Sequence, residues 1–234
     1  MNDELRVDRK RRIQQCLEKV RFFCLYDAFC AYDTIGQRYK NETDLFRDEL
    51  LDAMNKAMRA RSCRASWRPF LNRPLAALAA IPNDTDLVDS MDAEYCTARQ
   101  ALKEYYLHLT VTPGITDMAA SKMLFLKRPR LTAISDSYIR TVLDIQDPDT
   151  YNFPLKESNY TERVLRVSDR VREVGKLNME FLTWLQMEMK PIMISKARLI
   201  DILIWVDMAI AQGHKMWSRE AKSRGWSSMG PQYP

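Results

Sequence analysis

Residues 112–143 read TPGITDMAASKMLFLKRPRLTAISDSYIRTVL. Pro113 and Gly114 mark a tight turn, because proline fixes its own φ and glycine accepts a positive one. An apolar run with helical spacing follows, then the basic segment KRPR, and then Asp136 where a second periodic run begins. The stretch therefore predicts a helix, a turn and a helix, with an acid at the start of a further helix.

Composition favours helices over sheets in the rest of the chain. The 234 residues include only six glycines, and 46% of them are hydrophobic. Apolar residues recur three and four apart almost throughout, and we find no convincing run of strict alternation. The sequence predicts an all-α fold, of a size that fits one large domain or two small ones sharing a core.

Charge is unevenly spread along the chain. The formal net charge is +5, and the segments 59–73 and 122–130 are rich in lysine or arginine and contain no acid. Such segments suit a phosphate backbone, since each contact releases condensed counterions. A single run of this kind is more often a solvated helix face. Two runs favour a nucleic-acid partner.

Cysteine usage and hydropathy argue against several other classes of protein. The five cysteines form no Cys-x-x-Cys pair, which predicts reduced thiols rather than a zinc or iron–sulfur site. The N-terminus lacks the apolar region of a signal peptide, and the longest apolar stretch, 199–210, is too short to span a bilayer. We expect a cytoplasmic protein with no bound metal and no membrane partner.

The Pro-Gly turn predicts an anion site. Gly114 allows close backbone approach, Ile115 anchors the turn in the core, and Thr116 can cap a helix that begins at Asp117. The first N–H groups of that helix have no partner within it, so together they can bind a DNA phosphate. Taken alone, a Pro-Gly pair before a helix is a common structural turn.

The stretch also resembles the helix-hairpin-helix DNA glycosylases, the superfamily of endonuclease III and of the adenine and oxoguanine glycosylases. Their pattern is Leu-Pro-Gly-Val-Gly-x-Lys-Thr-Ala, followed downstream by Val-Asp-Thr-His-Val. Aligned without a gap, the family positions fall on Pro113, Gly114, Ile115, Ala120 and Leu124. The family's catalytic acid then falls on Asp136, and the helical remainder of the chain is merely compatible.

Three departures from the family pattern change what the resemblance implies. The second glycine of the hairpin is Thr116, which alters the approach of a phosphate. The lysine of the bifunctional members corresponds to Met118, which cannot form a Schiff base. No four-cysteine cluster follows. The resemblance thus implies a monofunctional enzyme that excises a flipped base by hydrolysis of the N-glycosidic bond and leaves an abasic site.

Asp136 is the predicted catalytic residue. Cleavage of an N-glycosidic bond develops positive charge on the sugar, and a carboxylate beneath C1′ stabilises that charge and orients or deprotonates the attacking water. In isolation an aspartate at a helix start is an ordinary N-cap. The register with the hairpin favours catalysis. A non-catalytic helix-hairpin-helix DNA-binding protein is the alternative, and a helical interaction protein without a nucleic-acid role is a third.

Further residues are assigned to DNA contact or to a base pocket. Lys122 lies one helical turn beyond Met118, from which it can reach the abasic product or a phosphate, and a phosphate is favoured. The predicted DNA-contacting residues are Gly114, Ile115, Thr116, Lys122, Lys127, Arg128, Arg130, Arg64 and Arg68. A flipped base needs a pocket to stack in, for which the candidates are Trp67, Tyr106, His108, Met118 and Tyr138. For Trp67, a place in the core is an equal alternative to a wedge.

The resemblance also implies how the chain is arranged. Residues 1–40 are expected to form an N-terminal helix packed with the C-terminal lobe, and residues 41–146 a helical bundle with the hairpin at about 100–126. Residues 147–225 are the expected C-terminal helical lobe, followed by a tail at 226–234. The predicted catalytic acid would face the cleft between the two lobes.

The substrate base is not readable from the residues. More distantly, the segments Ser-Lys-Met-Leu, Lys-Arg-Pro-Arg-Leu and Asp-Ser resemble an uncharacterised bacterial glycosylase-like branch. That resemblance suggests glucosylated hydroxymethylcytosine of phage DNA as a candidate base, and antiviral defence as a role. The expected partner is double-stranded DNA, the expected state is a monomer, and no cofactor is expected beyond a monovalent cation that the hairpin can hold.

Overall fold

The computed structural model describes residues 3–25, 46–50, 67–71, 75–145 and 157–227, together with positions 38 and 52. These ranges are mostly helical, and the β-structure found within them is one isolated parallel bridge between Phe46 and Leu71. The prediction of an all-α fold is confirmed. None of the described helices is long and apolar enough to cross a membrane.

The described α-helices, α1 to α9 in chain order, are joined by one short 3-10 helix, Arg68–Phe70, between the first two. The α-helices are α1 Asp3–Leu25, α2 Ala76–Ala79, α3 Asp92–Thr110, α4 Asp117–Lys127, α5 Ser137–Val142, α6 Glu157–Leu177, α7 Met179–Glu188, α8 Lys196–Ala211 and α9 Lys215–Arg224.

Two clusters of buried apolar side chains form the described interior. The first surrounds the pair α3 and α4 and includes Leu124, and the second joins α1 to the last three helices and includes Leu203. Helix α6 contributes to both, with Leu165 in the first cluster and Val171 in the second. The segment that leads from α4 to α5 also passes from one cluster to the other, and Asp136 lies at its end.

Helix α1 packs against α8 and against the residues that follow α9. The ammonium of Lys19 is fully buried and donates to Asp207 Oδ1 at 2.6 Å and to the carbonyl of Ser227 at 2.7 Å. Trp226 is buried, and its indole N–H donates to Glu18 at 2.9 Å. The sequence predicts a tail from residue 226 onward, but Trp226 packs on α1 with its ring 5.9 Å from that of Phe22, and the carbonyl of Ser227 accepts from Lys19.

Helix α6 approaches the turn before α3 closely. A Cβ added to Gly175 would lie 2.6 Å from a methyl carbon of Val88, so this contact requires glycine. The buried guanidinium of Arg172 donates to the carbonyls of Leu87 and Ser90 at 2.5 and 2.7 Å. These bonds supply donors to buried carbonyls that would otherwise be unsatisfied.

Candidate functional site

The turn between α3 and α4 has the backbone shape that its sequence predicts. Gly114 has φ of 87°, a left-handed conformation that side chains with a Cβ rarely adopt. The N–H of Ile115 donates to the carbonyl of Thr112 at 3.1 Å, and the Ile115 side chain is buried in the first cluster. The turn is therefore anchored from within and presents its glycine at the bend.

Helix α4 begins as predicted, with Thr116 as its N-cap. The hydroxyl of Thr116 accepts from the N–H of Ala119 at 3.4 Å, and Asp117 is the first helical residue. In any helix the N–H groups of the first turn lack partners inside the helix. The N–H groups of Asp117 and Met118 are of this kind, and they lie next to the glycine turn.

Asp136 is the N-cap of α5. Its Oδ1 accepts from the N–H groups of Tyr138 at 2.8 Å and Ile139 at 3.1 Å, which fixes the orientation of the carboxylate. The residue is partly exposed. Within the described ranges no hydrogen bond to the other oxygen, Oδ2, is found. The carboxylate thus performs the structural role of a cap with one oxygen and keeps a second oxygen for other contacts.

A buried carboxylate that sequence reasoning did not select connects Asp136 to the hairpin. Asp117 is 2% exposed. Its Oδ2 accepts from Ser135 Oγ at 2.6 Å, Arg163 Nε at 3.0 Å and Arg140 Nη1 at 3.2 Å, and its Oδ1 accepts from Arg163 Nη2 at 2.8 Å. We call these four residues the hairpin centre.

The sequence offered only a partial signal for the hairpin centre. Asp117 was identified as the start of α4, where an acid is favoured by the helix dipole. Its partners are Ser135 in the segment before α5, Arg140 on α5, and Arg163 on α6, which lies 46 positions away in the chain. Residues so far apart in the chain form no local sequence pattern, so only the folded structure reveals the cluster.

Two of the predicted DNA contacts are buried structural residues. The guanidinium of Arg128, 2% exposed, donates to the carbonyls of Leu78 at 2.9 Å and Ile81 at 3.0 Å. Lys127 is 4% exposed, and its ammonium lies 5.8 Å from the centre of the Phe46 ring. Arg128 packs inward at the end of α2 and Lys127 packs over Phe46, so neither side chain is exposed to a DNA backbone.

The other predicted cationic contacts differ in exposure. Lys122 is only 6% exposed on α4, which leaves it little surface to offer a phosphate. Arg68 and Arg130 are exposed, and Arg130 lies 3.3 Å from the carboxylate of Asp86. Arg64 lies outside the described residues. Among the described cationic candidates, Arg68 and Arg130 are thus the ones that are exposed.

Two of the five base-pocket candidates lie in the interior. Trp67 is fully buried in the first cluster, so the wedge interpretation is wrong for this conformation and its core alternative holds. Tyr106 is also fully buried, and burial, with a smaller effect from the nearby Asp117, raises the pKa of its hydroxyl. Neither Trp67 Nε1 nor Tyr106 Oη has a recorded hydrogen-bond partner among the described residues.

The other three candidates reach solvent. Met118 is 36% exposed beside the glycine turn, and His108 is exposed with its ring 5.8 Å from that of Phe70. Tyr138 is half-buried at the start of α5, with its ring 6.2 Å from that of Trp205. These aromatic and thioether groups are the available stacking surfaces near the two helix starts.

A cavity of about 290 Å³ lies at the far end of α5 from Asp136. It is lined by Leu143, Asp144, Ile145, Arg166, Asp169 and Arg170. None of the predicted base-pocket residues contributes to it. In this conformation the cavity and the predicted acid are therefore separate features.

The described residues hold no group of three or more histidine, cysteine, aspartate or glutamate side chains placed to bind a metal ion. Cys16 is buried beside Lys19, and burial raises the pKa of its thiol to about 12. Such a thiol stays protonated at neutral pH and is a poor nucleophile. The described cysteines are Cys16, Cys24 and Cys96, and no disulfide is found among them.

Comparison with known proteins gives a family but no activity. A family model described as a family of unknown function, DUF6308, matches residues 12–208. The chain belongs to this family. No curated protein and no solved structure matches it.

Proposed function

We propose that the protein is a monofunctional DNA glycosylase, with Asp136 as its catalytic carboxylate. The observation that carries the proposal is the pairing of this acid with the hairpin. Asp136 caps α5 with Oδ1 alone, and the residue before it is hydrogen-bonded to Asp117, the first residue after the hairpin turn. An acid fixed relative to a phosphate-binding turn is the arrangement that base excision needs.

The hairpin supports DNA binding through its backbone more than through side-chain charge. The left-handed Gly114 leaves room for close approach, and the N–H groups at the start of α4 favour an anion through both hydrogen bonding and the helix dipole. Among the described candidates, Arg68 and Arg130 are the exposed cations, and Arg130 is paired with Asp86. Contacts of this kind position a duplex without reading its sequence.

The chemistry assigned to Asp136 is hydrolysis. A water molecule forms a bond to C1′ as the bond from C1′ to the base nitrogen breaks, and the carboxylate stabilises the positive charge that develops on the sugar. The same carboxylate accepts a proton from the water, and the departing base takes up a proton. The products are a free base and an abasic site.

Met118 is the reason that the proposed reaction includes no strand cleavage. It occupies the place on α4 where bifunctional members of the resembled superfamily carry a lysine, and it is partly exposed beside the turn. A thioether cannot form the Schiff base through which a lysine cleaves the strand. The proposed substrate is double-stranded DNA with a damaged or hypermodified base, glucosylated hydroxymethylcytosine included. The proposed context is a monomer acting in the cytoplasm in antiviral defence.

The second candidate function is DNA binding without catalysis. Trp67 and Tyr106, two of the expected base-pocket residues, are buried, and the cavity lies away from Asp136. A glycosylase would have to open or complete its pocket when DNA binds. A protein that kept the hairpin and lost the pocket would not.

The decisive experiment measures base release from a panel of duplexes. The panel contains alkylated, oxidised, deaminated, hydroxymethylated and glucosylated bases, and mass spectrometry detects the free base while an aldehyde-reactive probe detects the abasic site. We expect Asp136→Asn to reduce release by a factor of about 10²–10⁴. Asparagine is as good an N-cap as aspartate, so the variant should fold and bind DNA normally.

Asp144→Asn is the matched control for that experiment. Asp144 is an exposed acid at the other end of α5, and its left-handed φ of 52° is one that asparagine also tolerates. We expect this variant to release base at the wild-type rate. Equal release by wild type and Asp136→Asn would overturn the catalytic assignment. Salt-dependent binding of duplex DNA without release from any substrate would favour the second candidate.

A further inference from the structure

Ser135, the residue before the predicted acid, has all three of its polar groups bound. Its N–H donates to Ser121 Oγ at 3.0 Å, its hydroxyl donates to Asp117 Oδ2 at 2.6 Å, and its carbonyl accepts from Arg140 Nη1 at 3.1 Å. Ser121 and Asp117 belong to α4, whereas Arg140 belongs to α5. The peptide that carries Asp136 is thus bound from both helices.

The charges of the hairpin centre hold this arrangement in place. The Asp117 carboxylate is almost completely buried and accepts two bonds from Arg163 and one from Arg140. Charge-assisted and bidentate bonds of this kind are short and directional. Because the carboxylate is shared by α4, α5 and α6, a displacement of any one helix would break a charged bond.

We propose that Asp117 is a positioning residue that fixes Asp136 relative to the hairpin turn. The Asp117 carboxylate is buried, so its effect on Asp136 is indirect. It accepts a hydrogen bond from the Ser135 hydroxyl one residue before Asp136, while the N–H and the carbonyl of Ser135 are bound by Ser121 and Arg140. The inference rests on the proposed function for its catalytic consequence, whereas the structural coupling between Asp117 and the Asp136 cap can be measured without any activity.

The expected loss of rate follows from how strongly catalysis depends on the position of the catalytic carboxylate. Shifting a catalytic group by about 1 Å can cost up to about a hundredfold in rate. DNA affinity should change much less, because the bond from Ile115 to Thr112 in the hairpin turn and the Thr116 cap of α4 do not involve Ser135. Weakening the hairpin centre should therefore lower kcat with little change in KM.

Ser135→Ala is the variant chosen to test this inference. Removal of a buried carboxylate such as Asp117 leaves two guanidinium groups uncompensated and can prevent folding, whereas Ser135→Ala deletes a single hydroxyl. Ser168→Ala is its matched control. The Ser168 hydroxyl is also buried and makes one recorded hydrogen bond, to the carbonyl of Val164 at 3.1 Å, on α6.

The first measurement follows the amides of Tyr138 and Ile139, the two N–H groups that Asp136 accepts from. Amide chemical shifts and hydrogen-exchange rates are recorded by NMR for wild type and both variants. We expect Ser135→Ala to shift these two amides and to speed their exchange several-fold, and Ser168→Ala to leave both unchanged. If both variants give wild-type amides, Asp117 does not position the cap and the inference is overturned.

The second measurement is base release, on any substrate that the panel identifies. We expect kcat of Ser135→Ala to fall between about tenfold and about a hundredfold with KM nearly unchanged. Altered amides with an unaltered kcat would overturn the positioning role. If wild type releases no base, the proposed function and the catalytic part of this inference both fail. The NMR result then still decides whether the coupling exists.

Discussion

Two charged centres in this molecule are each built around a buried carboxylate, but they differ in their surroundings. The hairpin centre joins α4, α5 and α6 around Asp117. The α1 centre consists of Lys19, Asp207 and the carbonyl of Ser227, and it joins α1 to α8 and to the residues after α9. Both carboxylates are at most 6% exposed.

The difference lies in what each centre is attached to. The α1 centre connects helices of the second cluster. Its bond from Lys19 to the carbonyl of Ser227 joins the two ends of the described chain. The hairpin centre is attached to a partly exposed carboxylate, Asp136, whose Oδ2 has no recorded bond among the described residues. Burial of charge alone thus indicates tight packing. A fixed carboxylate with an oxygen to spare is what suggests chemistry.

The largest expected effect comes from breaking the α1 centre. Lys19→Met removes the cation beside a buried carboxylate, so we expect the free energy of unfolding to fall by about 3–5 kcal/mol. Lys10→Met, on the exposed face of the same helix, is the matched control and should stay within about 0.5 kcal/mol of wild type. Urea unfolding followed by circular dichroism measures both.

The Lys19→Met and Lys10→Met variants also test whether the α1 centre is independent of the hairpin centre. The α1 centre is structural, so base release per folded molecule should be unchanged in Lys19→Met. A folded Lys19→Met protein with wild-type stability would show that the ion pair contributes nothing. Loss of activity in a fully folded variant would show that the two centres are coupled.

The next effect concerns the turn beside the hairpin centre. Gly114→Ala forces a side chain into a left-handed backbone, at a cost of about 1–2 kcal/mol. Gly213→Ala imposes a similar strain at φ of 71°, where an added Cβ meets no atom within 4 Å. We expect only Gly114→Ala to weaken duplex binding, measured by fluorescence anisotropy. Equal affinity in both variants would remove the turn from the DNA interface.

A smaller effect separates the two roles of Asp136. Asp136→Ala removes the N-cap of α5 and should destabilise the protein by about 1 kcal/mol, whereas Asp136→Asn should lie within a few tenths of wild type. Both should lose base release. Thermal unfolding checks the first statement. An asparagine variant as unstable as the alanine variant would mean that the negative charge itself stabilises the cap.

The smallest effect is expected at the other end of α5. Asp144 has φ of 52° and follows the helix C-cap, in the position where glycine is the usual residue. Asp144→Gly relieves the strain of a left-handed backbone, but glycine also raises the conformational entropy of the unfolded chain, which offsets part of that stabilisation. We therefore expect a net stabilisation by about 0.5 kcal/mol. A rise in Tm with unchanged base release is the expected result. A fall in Tm would show that the aspartate side chain makes a contact that stabilises this turn.

The sequence predicted the local parts of the candidate site well. Gly114 has the positive φ that a Pro-Gly turn suggested, Thr116 caps the helix that begins at Asp117, and Asp136 lies at the start of a helix. Each of these features depends on a few neighbouring residues. A cap or a turn is stabilised by bonds within one helical turn, and so its signal is present in the sequence.

The same reasoning failed for Lys122, Lys127 and Arg128. It assigned them to DNA contact because they lie in a basic segment, 122–130, that contains no acid. Helix α4, however, is buried on almost every side, since α3 and α6 both pack against it. Arg128 donates to backbone carbonyls near α2, about 50 positions away. No local pattern distinguishes a cation that binds a phosphate from one that satisfies a distant carbonyl.

The sequence by itself determined that this protein is helical, that it turns sharply at Gly114, and that an acid begins α5. These outcomes follow from local backbone preferences and from the spacing of apolar residues. The tertiary structure decided which charges lie inside, and it brought Asp117, Ser135, Arg140 and Arg163 together beside Asp136. The physical reason is that burial and ion pairing depend on which helices meet, and residues far apart in the chain meet only when the whole interior packs.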